Sequence, residues 1–204
     1  GDSPLAMDAA GLAADYLATM HVVDSIDVKE VEIMQPDGNM VLDQTTLRNL
    51  ELTQTLAGEK EGSLLGAIDR CRTSMGRRML KQWILRPLAN KEKIEARQDA
   101  VASLARSSRR LDDIRNSLRG LRDLERLATQ LSYNRSGGRD IVAIGLALER
   151  MPKIKLLCQE MDDELLNTIS SDLDILEMMR IDIQANLNDA QPLSLRDGGL
   201  IREG

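Results

Sequence analysis

Apolar residues recur at helical spacing along most of this chain. Near the start, Leu12, Tyr16 and Met20 lie at i, i+4 and i+8, which places them on one face of a helix. Further stripes of this kind follow from residue 44 onward, with turn sequences such as NRSGG between them. The segments VKEVEIM and NMVLD instead alternate apolar and polar residues around the turn sequence QPDG. The pattern therefore predicts an all-α fold of roughly eight helices with one short β-hairpin near residues 28–43.

These elements divide the chain into three parts. Residues 1–25 are expected to form the N-terminal helix of a core, residues 26–43 the β-hairpin, and residues 44–204 a helical core domain. Several stripes are preceded by side chains that accept hydrogen bonds from the free backbone N–H groups of a helix start. These predicted caps are Asp43 or Thr45, Ser63, Thr73 or Ser74, and Asn90.

The segment TSMGRRMLKQWILRPL, residues 73–88, contains the only tryptophan of the chain, Trp83. Helical spacing predicts an apolar stripe of Gly76, Met79, Leu80, Trp83 and Ile84. The other face carries Arg77, Arg78 and Lys81. Pro87 ends this helix, because the residue before a proline is pushed out of the helical region. We expect Trp83 to lie in the core or in an interface, with Gly76 allowing another backbone to approach. Truncation of a buried Trp83 to alanine would then cost about 3–5 kcal/mol.

The composition supports a helical protein of a reducing compartment. Aromatic residues are scarce, with no Phe, one Trp and two Tyr, so the core is built from aliphatic residues and methionine. Two cysteines, Cys71 and Cys158, do not make a disulfide framework. The longest apolar run, IVAIGLAL, is much shorter than the roughly 20 residues that cross a bilayer. We therefore expect a cytoplasmic protein with no membrane partner.

The usual catalytic and cofactor patterns are not found in the sequence. It has no phosphate-binding P-loop pattern and no Cys-x-x-Cys pair, and its one histidine, His21, is expected at a helix end. The cluster Asp162, Asp163 and Glu164 has the chemistry to bind Mg²⁺. Acidic residues also collect at helix N-termini, where the helix dipole favours them, and we prefer this second interpretation. No catalytic, cofactor or metal site is expected in this chain.

Positive charge is concentrated in the middle of the chain. Residues 70–139 hold 18 basic and 7 acidic residues, a charge of +11, although the whole chain has a net charge of −6. The candidate phosphate contacts within this block are Arg109, Arg110, Arg115 and Arg119. Asp112 and Asp113 are interleaved with these arginines. We therefore favour intramolecular ion pairs over nucleic-acid binding, since aromatic residues for base stacking are also scarce.

The residues from Leu42 to Leu88 closely resemble the core region of the MutS family of DNA mismatch repair proteins. The matching positions are Leu42, Asp43, Thr46, Arg48, Asn49, Leu50, Glu51, Ser63, Leu64, Asp69, Thr73, Met75, Gly76, Arg78, Leu80, Trp83, Pro87 and Leu88. Ile94, Arg97, Val101 and the sequence DLERL, residues 123–127, fit the helices that follow. The sequence RDGGLIREG resembles the segment where the family's clamp domain is inserted. The resemblance covers about residues 10–204.

The resemblance implies a role within a larger protein. Members of the family are dimers that encircle DNA, recognise mismatches, and hydrolyse ATP with Mg²⁺. This chain would be the first half of the helical core, or lever, domain, and it would end before the clamp. It would have no enzyme activity or cofactor of its own, and would couple the state of the ATPase to the DNA clamp. The alternative is a self-standing helical scaffold for protein interactions with no DNA partner.

The residue pattern and the resemblance together predict structural roles for individual residues. Gly76, Arg78, Met79, Leu80, Trp83 and Pro87 form a junction helix. Arg78 matches a family position, so we expect it to be paired, while Arg77 is expected to be exposed. Arg97 lies on an apolar stripe and needs a partner, and we expect a buried ion pair with Asp123 or Glu125.

Overall fold

The computed structural model describes residues 4–19, 38–133, 135–188 and 199–202, and these ranges contain eleven α-helices. Their bounds are α1 Pro4–Thr19, α2 Gln44–Asn49, α3 Leu64–Ile68, α4 Ser74–Leu85, α5 Lys91–Arg106, α6 Ser108–Leu118, α7 Leu124–Ser132, α8 Gly138–Leu148, α9 Met151–Gln159, α10 Glu164–Asp172 and α11 Glu177–Asn186. The predicted all-α class is confirmed. None of the described helices is long and apolar enough to cross a membrane.

The first strand of the predicted hairpin, residues 28–34, lies outside the described residues, as do most of residues 20–43. Within the predicted second strand, Asn39 forms an isolated antiparallel bridge with Leu88. The chain divides into two compact units, Gly1–Gly38, which contains α1, and Asn39–Gly204, which contains the other helices.

Most helices of the second unit begin at a polar side chain that caps the first turn. The backbone N–H three residues ahead donates to Asp43 at 2.6 Å, to Ser63 at 3.1 Å, to Thr73 at 3.0 Å and to Asn90 at 2.8 Å. The predicted caps are confirmed. Of the two alternatives at α2 the cap is Asp43, and of the two at α4 it is Thr73. The predicted effect of Pro87 is also confirmed, since α4 ends at Leu85 and Arg86 leaves the helical region with φ −134°.

The helix α2 has only six residues. Glu51 adopts a positive φ of 48°, and the chain turns there. The carbonyl groups of Glu51 and Leu52 then accept hydrogen bonds from the N–H groups of Leu64 and Leu65, at 3.1 and 2.9 Å. These bonds join α2 to the start of α3, and they replace the helical bonds that a continuation of α2 would have made.

The buried core of the second unit lies among the later helices. One cluster, from α7, α8 and α9, consists of Leu127, Ala143, Ile144, Leu148 and Met151. A second cluster joins α5 to α10 through Ala100, Met161 and Leu166. None of the residues of α4 is buried. The position of α4 therefore depends on contacts other than a shared apolar core.

The helices α8 and α11 approach each other closely at Gly145. A Cβ atom at this position would lie 2.7 Å from Cγ2 of Ile183 and 3.4 Å from its Cβ. The first distance is shorter than van der Waals contact allows. The β-branched side chain of Ile183 has little freedom to move away, so the helix packing requires glycine here.

We expect Gly145→Ala to destabilise the protein by about 1–3 kcal/mol, because the added methyl group forces α8 and α11 apart. The change would be measured as a lower midpoint of urea unfolding. Gly11→Ala in α1 is the matched control, since a Cβ there meets no atom within 4 Å. That variant should be as stable as the wild type or slightly more stable, since alanine favours helices. Equal stability of the two variants would contradict the close packing of α8 on α11.

Candidate functional site

Two neighbouring arginines hold the first half of α4 against different parts of the structure. Arg77 Nε donates to Asp69 Oδ2 at 2.8 Å, and Lys60 Nζ donates to the same oxygen at 2.8 Å. The other oxygen, Asp69 Oδ1, accepts the backbone N–H of Cys71 at 3.2 Å. The side chain of Asp69 is only 5% exposed. The hydrogen bond from Lys60, with the Cys71 N–H and the charge of Arg77, holds the pKa of the Asp69 carboxyl well below its usual range.

The second arginine, Arg78, binds the start of α7. Its two Nη atoms donate to both carboxylate oxygens of Asp123, and Nη2 also donates to Glu125. Asp123 accepts from Ser74 Oγ at 3.0 Å as well, and it caps α7 by accepting the Arg126 N–H at 3.2 Å. The bidentate geometry suits the planar guanidinium group. Arg78 is therefore paired, as predicted, and one carboxylate joins α4 to α7.

These contacts also change the ionisation of both partners. The pKa of Asp123 is held well below its usual range, first by the hydrogen bonds from Arg78 and then by those from the Arg126 N–H and Ser74. The pKa of Arg78 is raised above its usual value, first by Asp123 and then by Glu125. The two carboxylates do not contribute equally to the contact, because the side chain of Asp123 is 17% exposed and that of Glu125 is 72% exposed.

The predicted ion pair of Arg97 with Asp123 or Glu125 is wrong. The Arg97 guanidinium carbon instead lies 3.7 Å from the centroid of the Trp83 ring, in a cation–π contact between α5 and α4. The two carboxylates are taken by Arg78. Arg97 therefore has an aromatic partner where the sequence suggested an acidic one.

The apolar stripe of α4 is less buried than predicted. Trp83 is 44% exposed and Met79 is 54% exposed, while Leu80 is half-buried. The alternative that Trp83 lies in the core of this chain is wrong, because the core clusters lie elsewhere and Arg97 covers one face of the ring; the interface alternative stays a prediction. The cost expected for Trp83→Ala is smaller for the same reason.

Gly76 and Pro87 have roles that differ from those expected. A Cβ on Gly76 would meet Thr73 Oγ1 at 3.0 Å and the Cys71 side chain at 3.8 Å, so no neighbouring backbone lies closer. The predicted close backbone approach at Gly76 is therefore wrong. Pro87 ends α4 as predicted, and its carbonyl also accepts the Met40 N–H at 2.7 Å. That bond lies beside the bridge between Asn39 and Leu88 and fixes the chain at the end of α4.

The candidate phosphate contacts lie on α6 and just after it. Arg109, Arg110 and Arg119 are exposed and Arg115 is half-buried. Arg110 Nη1 donates to the Glu160 carbonyl at 2.7 Å, and the Arg119 carbonyl accepts from Arg150. In the described part of the chain, none of the four arginines forms an ion pair. The favoured pairing with Asp112 and Asp113 is therefore not present, and the charge of this surface stays available.

The acidic cluster at α10 begins a helix, as preferred. Asp163 caps α10 by accepting the Leu166 N–H at 2.9 Å, and Glu164 lies in the first turn. The sequence did not show that α5 brings further acidic residues to the same cleft of about 930 Å³, namely Glu92, Glu95 and Asp99. Among the described residues, no group of three or more His, Cys, Asp or Glu side chains has the arrangement of a metal site.

Sequence reasoning also missed Lys60 and Asp69 as the partners of Arg77. In the sequence, Asp69 stood out only as one of the positions that match the MutS core region. A carboxylate next to a predicted helix end carries no local signal that it will be buried. Its nearly complete burial results from the loop between α2 and α3, which brings Lys60 against it.

Comparison with known proteins gives one family. The family model described as MutS domain III matches residues 45–203. The DNA mismatch repair protein MutS of Symbiobacterium thermophilum is 37% identical over 204 residues, which is 100% of this chain and 23% of that protein. The protein of the same name from Halothermothrix orenii is 35% identical with the same coverage. That of Synechococcus elongatus is 38% identical over 98% of this chain and 23% of its own length. The chain thus spans about a quarter of the length of these relatives.

We expect Asp123→Ala to destabilise the protein more than Glu125→Ala. The first change removes the cap of α7 and the bidentate partner of Arg78, and loss of such a cap typically costs about 1–2 kcal/mol. The second change removes an exposed carboxylate and should cost less than about 1 kcal/mol. Urea unfolding followed by circular dichroism would measure both. A larger loss for Glu125→Ala would mean that Asp123 is not the main link between α4 and α7.

The depressed pKa values of the Asp69 and Asp123 carboxyls predict that the folded state loses stability in acid. Asp69 and Asp123 lose their protons more readily in the folded state than in the unfolded state, so they stabilise the fold above the unfolded pKa of about 3.9. This stabilisation should be lost progressively as the pH falls from that value toward the depressed folded values. We expect the urea midpoint of Asp123→Asn to fall less steeply with acid than that of the wild type. Parallel pH profiles would contradict the assigned pairing.

Proposed function

Because this chain belongs to the MutS family, over the part described as domain III, we propose that it is the helical frame of a longer DNA mismatch repair protein. The observation that carries this proposal is the double anchoring of α4. Arg77 fixes α4 to Asp69, and Arg78 fixes it to Asp123 at the start of α7. A helix held on two sides by charge-assisted hydrogen bonds is suited to transmit a displacement from one end of a domain to the other.

The proposed role is to couple the state of an ATPase to a DNA clamp. In this proposal the longer protein is a cytoplasmic homodimer that binds mismatched double-stranded DNA, ATP and Mg²⁺. The clamp, the rest of the lever and the ATPase would be other parts of the same polypeptide. The relatives named DNA mismatch repair protein MutS support this setting, since this chain matches only 23% of their length.

We assign no catalytic step to the chain itself. The two most strongly perturbed carboxylates, Asp69 and Asp123, are each occupied by several donors from the protein, which suits a structural link better than a general base. The nucleotide chemistry would belong to the ATPase part of the longer protein.

The frame and the alternative, a self-standing interaction scaffold without a DNA partner, differ in what covers the half-exposed side chains of α4. Trp83 and Met79, four residues apart on α4, are both about half exposed. In the frame, another part of the same polypeptide would cover these side chains. In the scaffold, a separate protein would cover them.

We expect Arg78→Ala in the full-length protein to reduce the stimulation of ATP hydrolysis by mismatched DNA by about fivefold or more. The affinity for ATP alone should change little, because the proposed role is transmission and not nucleotide binding. Lys153→Ala, at an exposed cation of α9 that is not among the candidate phosphate contacts, is the matched control and should keep the wild-type stimulation. Thermal unfolding would confirm that both variants are folded at the assay temperature.

Normal stimulation in a folded Arg78→Ala variant would contradict the frame. Failure of the full-length wild-type protein to bind mismatched DNA would favour the scaffold instead.

A further inference from the structure

A groove with an apolar floor and a basic rim lies beside α8. It has a volume of about 510 Å³ and runs between α8 and the turn from α6 to α7. Leu121, Val142 and Leu146 form part of its floor. Its rim carries Arg122, Arg139 and Arg150, and no acidic residue lines it within the described chain.

The floor of the groove is the uncovered face of an otherwise buried helix. On the covered face of α8, Gly145 packs against Ile183 of α11, and Ile144 and Leu148 belong to the core cluster. On the groove face, Val142 is half-buried and Leu146 is 57% exposed. A helix that is apolar on nearly all sides is normally covered on all sides. Here one apolar face is left open to a groove.

The rim is held in place by the fold. Arg150 Nη1 donates to the Arg119 carbonyl, which fixes its guanidinium group across the turn. The turn is made by Gly120 with a φ of +74°, and Arg150 Nη1 lies 4.0 Å from where a Cβ of Gly120 would be. Arg139 begins the same stripe of α8 as Val142 and Leu146, at i, i+3 and i+7. The arginines therefore flank the apolar floor.

We propose that this groove binds a helical protein segment that presents aliphatic side chains flanked by carboxylates. The aliphatic side chains would cover Val142 and Leu146, and the carboxylates would pair with Arg122 and Arg150 of the rim. The combination favours a protein over a nucleic acid. The apolar side chains of the floor have no hydrogen-bond donors for a phosphate. None of the described residues that line the groove is aromatic, so a base would have no ring to stack on.

The probe is a short, amidated, fluorescein-labelled helical peptide with leucines at i, i+3 and i+7 and glutamates beside them. Anisotropy of this peptide with the 204-residue chain should show saturable binding with a dissociation constant below about 1 mM. Two matched peptides, one with serine for leucine and one with glutamine for glutamate, should each bind more weakly. The first lacks the aliphatic side chains, and the second lacks the carboxylates.

Two variants of the chain locate the binding. Leu146→Asp and Arg122→Glu change exposed groove residues and should each weaken binding by roughly tenfold or more. Arg109→Glu makes the same charge change on α6 outside the groove and should have a much smaller effect. Circular dichroism and unfolding midpoints would show that the three variants keep the wild-type fold.

The proposal is overturned if the peptide shows no saturable binding, if Leu146→Asp leaves its affinity unchanged, or if Arg109→Glu weakens binding as much as Arg122→Glu. Displacement of the peptide by a short DNA duplex, with the serine peptide binding as well as the leucine peptide, would assign the groove to phosphates and also overturn it. Because the assay contains neither ATP nor mismatched DNA, its result is independent of the proposed frame function.

Discussion

The position of α4 in the second unit depends on two adjacent arginines that reach in different directions from this helix. Arg77 binds Asp69 at the end of α3, and Arg78 binds Asp123 at the start of α7. Successive residues of a helix point about 100° apart, so neighbouring side chains can reach elements on different sides. The helix α4 contributes no buried side chain. Its position is therefore set by directional hydrogen bonds between charged groups.

This division between apolar core and polar joints has mechanical consequences. The helices α5 and α7 to α10 share buried clusters, Ile183 of α11 packs against one of them, and close-packed clusters of this kind resist deformation. Ion pairs at partly exposed positions contribute less to stability, and they are weakened by acid and by salt. Partly exposed ion pairs therefore suit a protein in which two parts must move relative to each other without unfolding. In a MutS-family domain, such joints suit the proposed coupling role.

The positive charge of α6 is not cancelled by ion pairs in the described part of the chain. The arginines of α6 form no ion pairs within the described residues, and the acidic residues of α5 and α10 line their own cleft. Leaving charge unpaired at the surface costs little in water, whereas a buried unpaired charge would be costly. These surfaces are therefore available for partners. The groove beside α8 differs from them because it combines cations with an open apolar floor.

The sequence by itself determined the helical class and those helix ends that carry a strong local signal. Caps such as Asp43 and Asn90, and the stop at Pro87, act on backbone groups only a few residues away, so local pattern was sufficient. Only the tertiary structure decided that Arg97 stacks on Trp83 and that Arg78 takes the carboxylates. Partner choice and burial depend on which distant elements pack together. The spacing of residues along one helix shows which side chains share a face of that helix. It does not show which other element packs against that face.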